Sequence, residues 1–230
     1  MNIKNNISHV LAVCLLLISF NLHALLKNEV TDSIKNWHFI AYLDNSEIGY
    51  HNFEVNISDS KTTVKTQAEF DVTFMFIPVF KYEHSNLEIW NNGCLVTLNS
   101  ITNNDGEDLF VNLSNNDGIT HIETPNNKLS KSDCVRSFAY WDENLIKSNI
   151  LMNTQSGELL DVTHKLIGSE KILINNKLVD TQRYQLQGKD EQGIDIDISL
   201  WYNTNNQWVA LESRLEGDRV LRYQLKQEIK

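Results

Sequence analysis

Two carboxylates in one strand, scattered histidines, runs of Asn, Asp and Gly, and a set of aromatics near strand ends are the residues whose chemistry bears on function. Asp195 and Asp197 alternate with Ile194, Ile196 and Ile198. A β-strand puts such alternating acids on one face, roughly 7 Å apart. That separation suits hydrolysis by paired carboxylates. Two acids on the polar face of an amphipathic strand in an acidic protein read first as a solvated surface, and a carboxylate-based hydrolase is the least favoured function. His38, His51, His84, His121 and His164 form no His-x-x-x-His or His-Glu-x-x-His pattern, and no Cys/His cluster has zinc spacing. They read as surface or core groups rather than ligands. There is no Gly-x-Ser-x-Gly elbow, phosphate-cradling glycine loop or dinucleotide fingerprint. A calcium loop of the Asp-x-Asn-x-Asp-Gly kind would have to start at Ile101 or Leu113, neither of which ligates. No catalytic residue, metal site or cofactor is expected.

The aromatics say more. Trp90, Tyr140, Trp141, Trp201, Tyr202 and Trp208 fall near strand ends and turns. A curved sheet that gathers them would line an apolar pocket with polar-tipped rings, the usual make-up of a small-molecule site. These six are the candidate ligand-binding residues, and a hydrophobic small molecule or lipid is the candidate ligand. The competing reading is that they simply fill the core.

The elements that must position them alternate with period two, as strands do. Ile194 to Tyr202 is the clearest, and Trp37 to Tyr42 pairs with Ile48 to Ile57 across Asp44-Asn45-Ser46. Thr62 to Phe76 and Val79 to Trp90 are long strands bent near Pro78, which lacks a ladder donor. Asn91-Asn92-Gly93, Asn103–Gly106 and Asn115–Gly118 have the residues that tolerate positive φ, so they predict tight hairpins, the last two flanking Leu109 to Leu113. Leu178 to Leu186, Ile194 to Tyr202, Trp208 to Leu215 and Val220 to Ile229 continue the rhythm. After Trp141, Asp142 can cap a short helix running to about Leu151. The expected fold is mostly β: a single curved antiparallel meander, about 10–12 strands closing into a barrel or half-barrel, with one or two short helices.

The first 24 residues read as a cleavable secretory signal, with Lys4 before an apolar run from Val10 to Phe20 and a small residue, Ala24, at the cut. The run is too short to span a membrane. Residues 25–230 then form one domain in the periplasm or outside the cell, with no transmembrane segment. Losing Lys4 makes the chain's charge of −10 one unit more negative. Such a surface repels nucleic acid and acidic lipid. Cleavage also removes Cys14 and leaves Cys94 and Cys134, an even pair that suggests a structural disulfide in an oxidising compartment. Two buried free thiols or a redox pair are the alternatives.

Several ordered motifs resemble a family of exported bacterial proteins catalogued as the domain of unknown function 6134. They are Gly49-Tyr-His51, Glu88-Ile-Trp90, Ser137-Phe-Ala-Tyr-Trp141, Leu151–Leu159, Arg183-Tyr184, Leu200-Trp-Tyr202 and Trp208-Val209. The likeness runs over about residues 35–226. It implies an exported β protein similar in shape to the half-barrels of lipoprotein carriers, and it implies no catalytic residues. The expected function is therefore a non-catalytic exported protein that binds a hydrophobic or amphipathic ligand. The alternative is an envelope structural or interaction protein with a solid core.

Overall fold

In the computed structural model, residues 33–74 and 77–226 are described. The signal segment, with Lys4, Cys14 and Ala24, lies outside the described residues, as does Ile229.

Tight hairpins set the architecture. Asn92 and Gly93, Asp105 and Gly106, and Asp117 and Gly118 all take positive φ, the conformation of primed two-residue turns, whose twist matches that of the flanking strands. Asn175 and Asn176 make a further such turn, at φ 48° and 63°, with no glycine to announce it. Joined this way, the strands are β1 (Ser33–Leu43), β2 (Ser46–Ser58), β3 (Lys61–Phe74), β4 (Ile77–Asn91), β5 (Cys94–Asn104), β6 (Glu107–Asn116) and β7 (Ile119–Glu123). They continue as β8 (Lys128–Lys131), β9 (Ile150–Met152), β10 (Leu159–Ile174), β11 (Lys177–Lys189), β12 (Asp195–Asn203), β13 (Trp208–Arg214) and β14 (Val220–Leu225).

Among the described residues these make one 14-stranded antiparallel sheet, in which β1 joins β14 and each other neighbour follows in chain order. The sheet does not close. β8 and β9 are its two edges, so the fold is a barrel-like half-barrel. Pro78 faces Thr73 beside a register shift in the β3–β4 pair, as its missing N–H requires.

The inner face carries the core. Trp37 and Phe39 of β1, Val55 of β2, Leu98 of β5, Val111 of β6 and Leu200 of β12 are all nearly or fully buried, in one cluster. Gly49 shows how tightly β2 and β3 approach: its φ is 147°, and a Cβ there would sit 1.9 Å from the Glu69 carbonyl oxygen.

The helix expected from Asp142 is much shorter than the sequence suggests. Asp142 does cap it, accepting from the Asn144 backbone, but the helix is a 3-10 turn, Glu143–Lys147. Leu151 belongs to β9. The apolar spacing there fits neither period well, and pairing of Leu151 with Leu160 decides the outcome.

Between the edge strands the chain forms a strap, residues 134–142. Leu95 donates its N–H to the Val135 carbonyl and Met152 donates to that of Arg136, both holding the strap by backbone bonds. Ser137 bridges Met152 in parallel. Val135, Ser137 and Ala139 are buried, and Arg136 pairs with Asp142 at 2.6 Å. Cys134, at the start of the strap, is disulfide-bonded to Cys94 at the start of β5, 40 residues back in the chain. On a chain-entropy basis a loop of that length is worth about 4 kcal/mol. A Cys94→Ser, Cys134→Ser double variant is therefore expected to lose about 4 kcal/mol in urea melts. An unchanged midpoint would show that backbone pairing alone holds the strap.

Candidate functional site

β4 is the unusual strand. Its buried positions are Tyr82, His84, Asn86, Glu88 and Trp90, while Leu87 faces out at 38 % exposure. Period-two alternation therefore drives a histidine, an amide and a carboxyl inward along one strand. Neighbouring strands add hydroxyls at the same level. The β4–β5 register sets His84 opposite Thr102 and Asn86 opposite Ser100, and the β3–β4 register sets Asn86 opposite Thr66.

These groups form a chain of hydrogen bonds. His84 Nδ1 lies 2.8 Å from Thr102 Oγ1, and Asn86 Nδ2 lies 3.4 Å from His84 Nε2. Asn86 Nδ2 also donates to Glu88 Oε1 at 3.4 Å. Trp90 Nε1 donates to Glu88 Oε2 at 2.7 Å, and Ser137 Oγ of the strap donates to Oε1 at 3.4 Å. Across the sheet, His51 Nδ1 is 3.0 Å from the Tyr223 hydroxyl. Among the described residues three polar atoms of this group are buried with no partner: Asn86 Oδ1, Ser100 Oγ opposite it, and His51 Nε2.

Burial governs the charges. It pushes the Glu88 carboxyl up to about 7, against the smaller opposing effect of the Trp90 and Ser137 hydrogen bonds. It lowers His84 to about 4 and holds His51 well below the usual imidazole range, helped by His84 nearby. Both imidazoles are therefore neutral at pH 7. Among the described residues no three His, Cys, Asp or Glu side chains gather as a metal-binding set.

His51, His84, Asn86, Glu88 and Ser137 line one part of a cavity of about 670 Å³, a size typical of small-molecule sites. Phe53, Phe138, Trp141, Leu160, Ile196 and Ile198 supply apolar wall. Asp195, Arg214, Glu216 and Arg219 stand at the exposed rim.

The model of the family described as Domain of unknown function (DUF6134) matches residues 39–226. The chain belongs to that family. No curated protein matches it. Among solved structures, this DUF6134 chain is similar to a "Beta-barrel-like Protein of Domain of Unknown Function DUF1849 from Brucella abortus", at 14% identity and a TM-score of 0.65, covering 86% of this chain and 98% of that one. A putative lipoprotein from Parabacteroides distasonis aligns at 13% identity over 86% of this chain and 95% of that one, with a TM-score of 0.34. The first likeness is one of fold.

Of the six aromatics singled out in this DUF6134 sequence, Tyr140 and Trp141 line the cavity. Trp90 meets Trp141 edge to face at 5.6 Å between ring centroids. Trp208 is fully buried and packs beneath, 5.3 Å from Tyr140 and 4.3 Å from Phe39. Tyr202 is buried and donates to the Tyr140 carbonyl at 3.0 Å. Trp201 lies elsewhere, on the outer face of β12, donating to Glu170 at 2.7 Å with Arg183 5.0 Å above its ring. Of the paired acids, Asp195 is exposed and bonded to Lys189, and Asp197 accepts from Gln185 at 2.8 Å with Arg214 at 3.7 Å.

The Glu88 row is hard to see in the sequence because Leu87 and Ile89 are the apolar residues of that stretch, and they point away from it. The available signal was the anchoring of one parity by Tyr82 and Trp90. Four of the motifs that carry the family resemblance contribute residues here: His51, Glu88 with Trp90, Ser137 with Trp141, and Asn153 with Gln155.

Glu88 makes a test of this environment possible. Its ordinary value is 4.5 and its native value about 7, so between those values the folded state keeps a proton that the unfolded chain has lost. That contribution to stability is full at the acid end and is lost as pH rises through 7. Glu88→Gln removes it. The stability of the variant relative to the parent is expected to rise by about 3 kcal/mol between pH 4.5 and pH 8, read from denaturant melts at each pH. Parallel pH curves would mean that Glu88 is not held as a buried acid.

Proposed function

We propose that this protein is exported and holds a hydrophobic or amphipathic small molecule or lipid in the concavity of its sheet, without catalysing a reaction. The cavity of about 670 Å³ carries this reading: apolar wall along most of its lining, and buried polar groups in one part of it. A concave face that side chains leave as an open cleft of this size weighs against an envelope interaction protein with a solid core. A paired-carboxylate hydrolase fits poorly, because Asp195 and Asp197 already face Lys189 and Arg214. The Cys94–Cys134 disulfide supports an oxidising compartment, in keeping with the signal-like first 24 residues.

Two measurements test the reading. Expression of the full chain in a Gram-negative host is expected to yield a periplasmic protein whose mass begins at Leu25; a cytoplasmic product of full mass would remove the export half. Titration of that protein with long-chain fatty acids, phospholipids and isoprenoids is expected to change tryptophan fluorescence and raise Tm for at least one class. Trp141→Phe is expected to reduce the fluorescence response, since Trp141 lines the cavity. A panel with no effect on either signal would favour the solid-core alternative.

A further inference from the structure

We propose that the buried polar row of the cavity takes a hydrogen-bond-donating head group, an alcohol or an amine, on a single-chain amphiphile, and rejects anionic head groups. The inference rests on the binding reading above and narrows its ligand class.

The free polar atoms set the choice of head group. Asn86 is 9% exposed. Its amide nitrogen faces two acceptors, Glu88 Oε1 and His84 Nε2, each at 3.4 Å. The amide oxygen is therefore the atom without a partner, and an oxygen accepts only. Glu88 is 4% exposed, and its Oε1 has only two long contacts, both at 3.4 Å. Hydrogen bonds of ordinary strength run near 2.7–3.0 Å, so Oε1 has capacity for a closer donor. The free His51 Nε2 is a donor when the Tyr223 hydroxyl donates to Nδ1, and an acceptor when that hydroxyl turns round. It adapts to a hydroxyl, which both gives and takes.

An anionic head meets the opposite situation. The cationic side chains in the lining are Arg214 and Arg219, at the rim and 75% and 50% exposed. Arg219 is bonded to Asp44 and Arg214 faces Asp197. Among the described residues no lysine or arginine lines the Glu88 row, and His51 and His84 are held neutral by burial. Above pH 7, where Glu88 loses its proton, a carboxylate or phosphate beside Glu88 and Asn86 Oδ1 would be a buried charge facing acceptors, which is strongly unfavourable. A donor head instead satisfies an oxygen that burial leaves without a partner. Phe53, Phe138, Leu160, Ile196 and Ile198 give the chain of such an amphiphile its apolar surroundings.

The test compares three probes with the same fourteen-carbon chain, tetradecanol, tetradecylamine and myristate, each titrated calorimetrically at pH 8 below its micellar concentration. At least one of the two donor heads is expected to bind tenfold or more tighter than myristate. Asn86→Leu is expected to weaken that tighter ligand about tenfold without weakening myristate. Glu88→Gln, a conservative change that keeps the shape, is expected to improve myristate binding; it serves alone if the Asn86 variant does not fold. A gap under tenfold in the parent protein overturns this inference and leaves the binding reading standing. No binding of any of the three overturns both.

Discussion

The strap between residues 134 and 142 is the constraint on which the interior depends. A meander sheet of this length has two edges, β8 and β9, that do not pair with one another. Both leave backbone groups to satisfy and an inner face to cover. The strap does both tasks in part, bonding to Leu95 and Met152 through its backbone and burying Val135, Ser137 and Ala139. Its path follows from covalent and ionic ties near its two ends: the disulfide at Cys134, and the Arg136–Asp142 pair that also orients the cap of the 3-10 turn. Because the strap is held there, Ser137 reaches Glu88 and Trp141 reaches Trp90.

The polar row on β4 is the second organising fact. A carboxyl, an amide and an imidazole at alternating positions cost stability in a core unless each finds a partner. Most do, through Thr102, Trp90 and Ser137. Among those left without a partner, Asn86 Oδ1 and His51 Nε2 belong to residues that line the cavity, although the His51 ring also stacks on Phe53 at 4.2 Å. An apolar replacement would pack the same space without that penalty. Stability alone does not explain these residues, and the proposed ligand site would use them.

Much of the fold was legible because turn chemistry is local. Asn-Gly and Asp-Gly pairs specify primed turns wherever they occur, so the hairpins at 92–93, 105–106 and 117–118 follow from residue type alone. The Asn175-Asn176 turn was less visible, since asparagine tolerates positive φ but does not demand it. The segment after Asp142 misled because a cap is a local signal, whereas continuation of a helix depends on what the following residues pair with. For the aromatics, type alone did not say which would line the cavity, as Tyr140 and Trp141 do. It could not separate Trp201 from Tyr202, adjacent residues whose side chains leave opposite faces of β12.

By itself the sequence determined strand period, turn positions, acidity and membership of a family, because each depends on residue type over short spans. The tertiary structure decided which parity of β4 faces inward, that Cys94 and Cys134 meet, and that His51, Asn86, Glu88 and Ser137 share one cavity. Those outcomes depend on register across strands far apart in the chain. A register slip of one residue would turn Glu88 outward and bring Leu87 in, and only the summed pairing of the whole sheet selects between the two.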